Sequence, residues 1–271
     1  MKAFRILFIS LILVFLYAPI AVLVGNSFNS SKYGQKWGGF TLKWYEKLLD
    51  NDSLMTAFGH SLLVAVLAAT TAVVIGTLMT LAIYRYRFPL KKTTSSALFI
   101  LMMSPDIVLA ITFLVLFMAL GVSLGFWTLL LAHTTFCLPF VVITVYAQLK
   151  GLNPYLFEAA KDLCASEWQI FTRIVLPLLL PAIGASWLLS FTLSLDDVII
   201  SSFVTGPEYE VLPIRVFSMV KVGVSPEVNV LATLLLVVST LSIAVFVLLT
   251  KQKQSNINNS KKPRKQINEA H

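Results

Sequence analysis

Six long apolar stretches, near 6–24, 61–84, 97–120, 125–147, 176–200 and 228–250, limit this chain more than any other feature. About twenty apolar residues in a helix cross the hydrocarbon core of a bilayer. A helix also bonds its backbone groups within the segment, which lipid requires. The fold expected is therefore all-α: a polytopic membrane protein of six transmembrane helices with short loops and no sizeable domain outside the membrane. Composition agrees, since 57% of the 271 residues are hydrophobic and only 13% are charged, against about a quarter charged in soluble domains. The first stretch follows Lys2 and Arg5 and so imitates a signal peptide. Its length and the lack of a small-x-small site around 17–26 favour an uncleaved helix, with Pro19 near its outer end. Cys137 within a span and Cys164 in a loop make neither a disulfide framework nor a metal site, because no His stands at ligand spacing from them.

Orientation follows from Lys and Arg, which concentrate in cytoplasmic loops. With the N-terminus inside, Lys2, Arg5, Arg85, Arg87, Lys91, Lys92, Lys150, Lys161, Arg173 and the basic residues after Lys251 are all cytoplasmic. The outer segments hold fewer basic residues and more acids than the inner ones, namely Glu46, Asp50, Asp52, Glu208, Glu210 and Glu227. Both termini are thus expected inside. The formal net charge of +8 then needs no nucleic-acid partner. Three segments are expected: 1–60, the first helix and an outer loop; 61–250, a core of five helices with a polar loop at 150–175; and 251–271, an Asn-, Lys- and Gln-rich disordered tail. The halves show no internal repeat, which counts against many secondary-transporter folds.

The loop 150–175 has its own local logic. Asn153 suits an N-cap and Pro154 a first helical position. Leu156, Ala160 and Leu163 then share one face. Ser166 and Gln169 have capping-box spacing, which starts a second helix through Ile170 and Ile174 on the membrane surface, and Pro177 opens the fifth span. Two readings fit these local features equally: an amphipathic interfacial pair, or a docking surface where small Ala159 and Ala160 admit a partner and Glu158 meets its basic groups.

The whole spaced pattern favours docking. Glu158-Ala159-Ala160, a small residue (Cys164) four positions later, then Ile174 and Leu176-Pro177 together resemble the coupling loop of the permease subunits of type I ABC importers. The resemblance implies a MetI-like permease fold, with this loop engaging a separate ATPase. One departure stands out: the family's glycine is Cys164 here, so either the turn uses another geometry or a side chain sits in the left-handed region at a cost of about 1–2 kcal/mol. Within the family the likeness is to permeases of spermidine/putrescine importers. It is carried by Asn26-Ser27-Phe28-Asn29-Ser30-Ser31, Met102-Met103-Ser104-Pro105-Asp106-Ile107-Val108, Ser194-Leu195-Asp196-Asp197-Val198, Ser202-Phe203-Val204-Thr205-Gly206-Pro207 and Lys221-Val222-Gly223-Val224-Ser225-Pro226-Glu227. It implies a bacterial inner-membrane location. The implied partners are a second, related permease in a heterodimer, an ABC ATPase dimer, an extracytoplasmic polyamine-binding protein and membrane lipid. ATP and Mg²⁺ belong to the ATPase, and no cofactor is expected on this chain, which lacks a G-x-x-x-x-G-K-[ST] loop.

Acids within or beside the spans are the candidate substrate contacts. Asp106 follows Pro105 inside the third span, where a charge costs at least about 2.5–3.5 kcal/mol and usually serves function. The alternative is that it caps a broken helix, or pairs with Ser104 or with a neighbouring subunit. Asp196 and Asp197 stand at the outer end of the fifth span, and meeting water is a sufficient alternative for both. A di- or tri-cation needs acceptor-only carboxylates and aromatic faces, so Trp127, Phe126 and Tyr146 join the candidates. An intramembrane enzyme is disfavoured. No H-E-x-x-H is present, Ile200 breaks the DDxxD spacing after Asp196, and His60, His133 and His271 are scattered.

Overall fold

The computed structural model describes residues 2–32, 36–153, 155–222 and 226–261. Pro154, residues 223–225 of the quoted likeness and the tail beyond Lys261 lie outside them. The described residues are helical almost throughout. Five helices are long and apolar enough to cross a membrane, or six if one bent pair counts as a single span. They are α1 (Lys2–Ser27), α3 (Asp52–Arg85), α6 (Phe126–Lys150), α9 (Leu176–Leu195) and α12 (Pro226–Lys261), with the bent pair α4 (Lys91–Met103) and α5 (Asp106–Ala119). Shorter helices are α2 (Lys43–Leu49), α7 (Tyr155–Asp162), α8 (Glu167–Ile170), α10 (Ile199–Val204) and α11 (Leu212–Val222).

Two expected spans are redrawn. The third is not one helix over 97–120, because α4 and α5 meet at 115°. Ser104 and Pro105 are both extended, with ψ of 137° and 138°. Pro105 has no N–H to donate, and its ring pushes the preceding residue out of the helical region, so the helix ends there. The fifth span stops at Leu195 rather than 200, and α10 begins only at Ile199. The sixth agrees with expectation, its apolar part running Pro226–Leu248, while the helix itself continues to Lys261.

The chain forms two compact units. The first comprises 1–61 and 209–240, the second 62–208 and 241–271. In the first, Trp44, Leu48, Leu54, Leu212, Val230 and Leu231 make the core. Buried Asn29 organises the loop after α1: its Oδ1 accepts the Gly38 and Ser31 amides (2.9 and 3.1 Å), and its Nδ2 donates to the Lys36 carbonyl (3.0 Å). The Trp44 indole donates to the Asn29 carbonyl (2.8 Å), tying α2 to that loop. Lys47 and Glu227 pair at 2.6 Å.

In the second unit α6 packs along α9, and α5 along α10. Small residues on α3 (Ala65, Ala68, Ala69 and Ala72, all fully buried) let helices approach closely, the usual device where lipid supplies no hydrophobic drive between them. A Cβ on Gly76 of α3 would stand 2.7 Å from Val141 Cγ1 of α6. Cys137, Val141, Val145 and Leu149 of α6 face Ile170, Val175 and Leu179, so this core continues from the bilayer span into the polar loop.

Candidate functional site

The loop after α6 is built as its sequence demands. Asn153 Oδ1 accepts the Tyr155 amide (3.0 Å), capping α7. The helix closes in a Schellman turn: the Ala165 amide donates to the Ala160 carbonyl (3.1 Å) and the Cys164 amide to the Lys161 carbonyl (2.8 Å). Cys164, exposed, sits at φ +56°, the only described non-glycine residue with positive φ. The geometry is thus the one a glycine would favour. The capping box also forms, with the Ser166 amide donating to Gln169 Oε1 (2.9 Å) and the Gln169 amide to Ser166 Oγ (3.3 Å).

Two details differ from expectation. The inward face of α7 is carried by Ala160, 5% exposed, and Phe157, whereas Leu156 and Leu163 are exposed. Ala160 is therefore small for this chain's own packing, and Ala159 and Glu158 are the exposed members of the triplet. Further on, α8 does not stop as a separate surface helix. A π-helical turn, Phe171–Val175, containing Ile174, carries it directly into α9. The Leu176 amide reaches back five residues to the Phe171 carbonyl. Pro177 offers no donor to continue an ordinary ladder, and widening by one residue accommodates it.

A link not expected from sequence joins α3 to this loop. Arg85, at the end of α3, is ion-paired with Glu167 and lies over the Phe157 ring at 5.5 Å. Lys161 approaches Glu167 at 3.7 Å. An open groove of about 400 Å³ runs beside them, lined by Tyr84, Arg85, Phe157, Glu167 and Trp168 among others. The signal was a basic residue ending a long span and an acid in a capping box, but no spacing rule connects positions 82 apart.

The candidate substrate residues do not form one cluster. Asp106 is exposed in the first turn of α5, directly after the break. Ser104 does not pair with it; its hydroxyl donates to the Ile100 carbonyl at 3.0 Å. Trp127 is exposed at the start of α6 and meets Phe126 edge-on at 5.1 Å. Tyr146 lies about 28 Å further along the same helix. There it contacts Tyr84, and Lys150 sits over its ring at 5.9 Å. A neighbouring lysine makes that end unsuited to a cation.

The two aspartates after α9 differ sharply. Asp196 is exposed, whereas the Asp197 side chain is only 7% exposed. Asp197 Oδ2 accepts the Ser201 amide (2.7 Å), and Oδ1 the Ile200 amide (3.3 Å), so it caps the first turn of α10. His133 of α6, one of three histidines scattered along the sequence, is 2% exposed and completes this cluster. Its Nδ1 lies 2.7 Å from Ser194 Oγ, and its Nε2 3.0 Å from Ser201 Oγ and 3.5 Å from Asp197 Oδ2. A polar residue inside an apolar span was the available signal. Among the described residues no group of three His, Cys, Asp or Glu is arranged to hold a metal.

Residues 72–255 match the family described as binding-protein-dependent transport system inner membrane component. The chain is 58% identical over 246 residues to the spermidine/putrescine transport system permease protein PotC of Escherichia coli K12, covering 91% of this chain and 93% of that one. It is 42% identical over 240 residues to the putrescine transport system permease protein PotI of the same strain, covering 86% and 85%. In fold it is similar to a chain of a bacterial ABC transporter involved in the import of the acidic polysaccharide alginate. That match has a TM-score of 0.70 at 17% identity and covers 94% of each chain.

Proposed function

This chain belongs to the family of binding-protein-dependent transport system inner membrane components, and we propose that it forms half of the translocation path of an ATP-driven importer for spermidine or putrescine. It is a multi-pass permease of the inner membrane and not itself the ATPase. The observation that carries the polyamine reading is the 58% identity, over nearly all of both chains, to a permease named for spermidine and putrescine. The exposed acids Asp106 and Asp196 support it chemically, because ammonium groups need acceptor-only partners.

As a permease of this class the chain works with an ATPase and a binding protein. The second, related permease is part of our reading, with α1 and the open faces of the helices available to it. The Lys and Arg distribution supports a cytoplasmic position for both termini and for the loop carrying Glu158, Ala159 and Ala160. ATP-driven closure of the ATPase pushes on exposed Glu158 and Ala159. That push reaches α9 through the continuous α8, π-turn and α9 stretch, and reaches α3 through Glu167 and Arg85. Cofactor chemistry lies in the ATPase, where ATP and Mg²⁺ are used.

The test is reconstitution of the complete importer in proteoliposomes, with ATP hydrolysis and uptake measured against a panel of polyamines, amino acids and other small cations. Stimulation by putrescine or spermidine alone is expected. Stimulation only by a different solute would replace the substrate reading while keeping the family.

A further inference from the structure

We propose that His133 is a positioning residue that divides the Asp196–Asp197 pair into one structural acid and one substrate-facing acid. This inference rests on reading the chain as a permease for an organic cation. The argument begins with saturation. Each oxygen of Asp197 already accepts a backbone amide from the first turn of α10, and Oδ2 also faces the His133 ring. A carboxylate so engaged has little left for a passing ammonium group. Asp196, one residue earlier, is exposed.

His133 holds that arrangement from outside the α9–α10 segment. Its carboxylate neighbour favours the proton on Nε2, which then points towards Asp197 and Ser201, while Nδ1 accepts the Ser194 hydroxyl. One buried ring thereby ties the last turn of α9, through Ser194, to α10, through Ser201, and fixes both to α6. Adjacent residues point about 100° apart on a helix, and here the chain leaves the helix at Asp196 (φ −101°, ψ 0°). Turning Asp197 inward therefore turns Asp196 away from it. Without the ring, Asp197 is released to water and the direction of Asp196 is no longer specified.

The experiment uses the full importer with radiolabelled putrescine and spermidine and reads two quantities for His133→Leu, His133→Gln, Asp196→Asn and Asp197→Asn. The first is the melting temperature of the assembled complex. His133→Leu and Asp197→Asn should each lower it by about 2–4 °C, and the double variant by no more than the larger single shift, because they break one bridge. Asp196→Asn should leave it unchanged. The second is polyamine moved per ATP hydrolysed, which loss of assembled protein does not alter. It should fall about tenfold in Asp196→Asn, the scale of one charged hydrogen bond. It should fall comparably in His133→Leu with no further loss in the double variant, and recover in His133→Gln, whose amide can still donate to Asp197. Additive melting shifts, or a His133→Leu complex with a normal ratio of transport to hydrolysis, would overturn the proposal. If the wild-type complex moves neither polyamine, the substrate reading fails by itself, and the melting shifts still sustain or overturn the His133 bridge.

Discussion

Cys164 occupies the left-handed end of α7, and the two Schellman hydrogen bonds around it leave no other geometry. A side chain in that region costs about 1–2 kcal/mol. Glycine avoids this cost, although its greater freedom in the unfolded chain offsets part of the gain, about 0.5–1 kcal/mol. Cys164→Gly should therefore stabilise the protein by roughly 0.5–1 kcal/mol, a rise of about 1–4 °C in melting temperature, with uptake unchanged. Thermal unfolding of the purified complex measures this, and a fall would mean that the thiol makes a contact worth more than the strain. Asp106 poses a different question at the same scale. It is exposed beside a helix break, where its charge also complements the N-terminus of α5. Asp106→Asn retains a hydrogen-bonding side chain of the same size but removes the charge. Uptake per assembled complex should fall at least about tenfold if a cation uses that carboxylate. Normal uptake per complex with less assembled protein would assign Asp106 to folding instead.

The proposed coupling loop is an element whose parts have separable jobs. Glu158 and Ala159 face outward while Ala160 is buried against the α6 core. Ala159→Trp or Glu158→Lys should leave the protein inserted and weaken copurification with the ATPase. Ala160→Trp should instead lower the amount of folded protein, since overpacking a filled core costs about 1–3 kcal/mol or more. Equal behaviour of Ala159→Trp and Ala160→Trp would contradict this division. The Arg85–Glu167 pair belongs to the same element. With 25% and 58% of these side chains exposed, the pair contributes at most about 1 kcal/mol to stability, so its value is in orientation. Arg85→Glu should reduce ATP-coupled uptake with little loss of protein. The exchanged pair, Arg85→Glu with Glu167→Arg, should restore part of it. Failure of the exchange in a well-assembled complex would remove the link between α3 and the loop from the mechanism.

Across the whole molecule the testable property is orientation. If both termini are cytoplasmic, as proposed, a cysteine introduced at Ser31 should react with an impermeant thiol reagent in intact cells. One at Ser260 should react only after permeabilisation. Labelling of Ser260→Cys alone in intact cells would invert the topology and move the Glu158 loop outside, away from any ATPase. The helical architecture that carries these sites is shared, at 17% identity, with a transporter of an acidic polysaccharide.

Apolar length located the membrane-crossing helices in this sequence, because lipid accepts no unbonded backbone and a long apolar run bonds its own as helix. Local spacing likewise fixed the Asn153 cap and the Ser166–Gln169 box, since each depends on atoms within a few positions of one another, whereas a cysteine at 164 left two turn geometries open. The 115° bend was only half legible: Pro105 announced a break, but its angle depends on what α4 and α5 pack against. The inward turn of Ala160, the capture of Glu167 by Arg85, and the enclosure of Asp197 by His133, Ser194 and Ser201 were decided by tertiary structure. They join residues up to 82 positions apart, and no local periodicity records which distant helix face a side chain will meet.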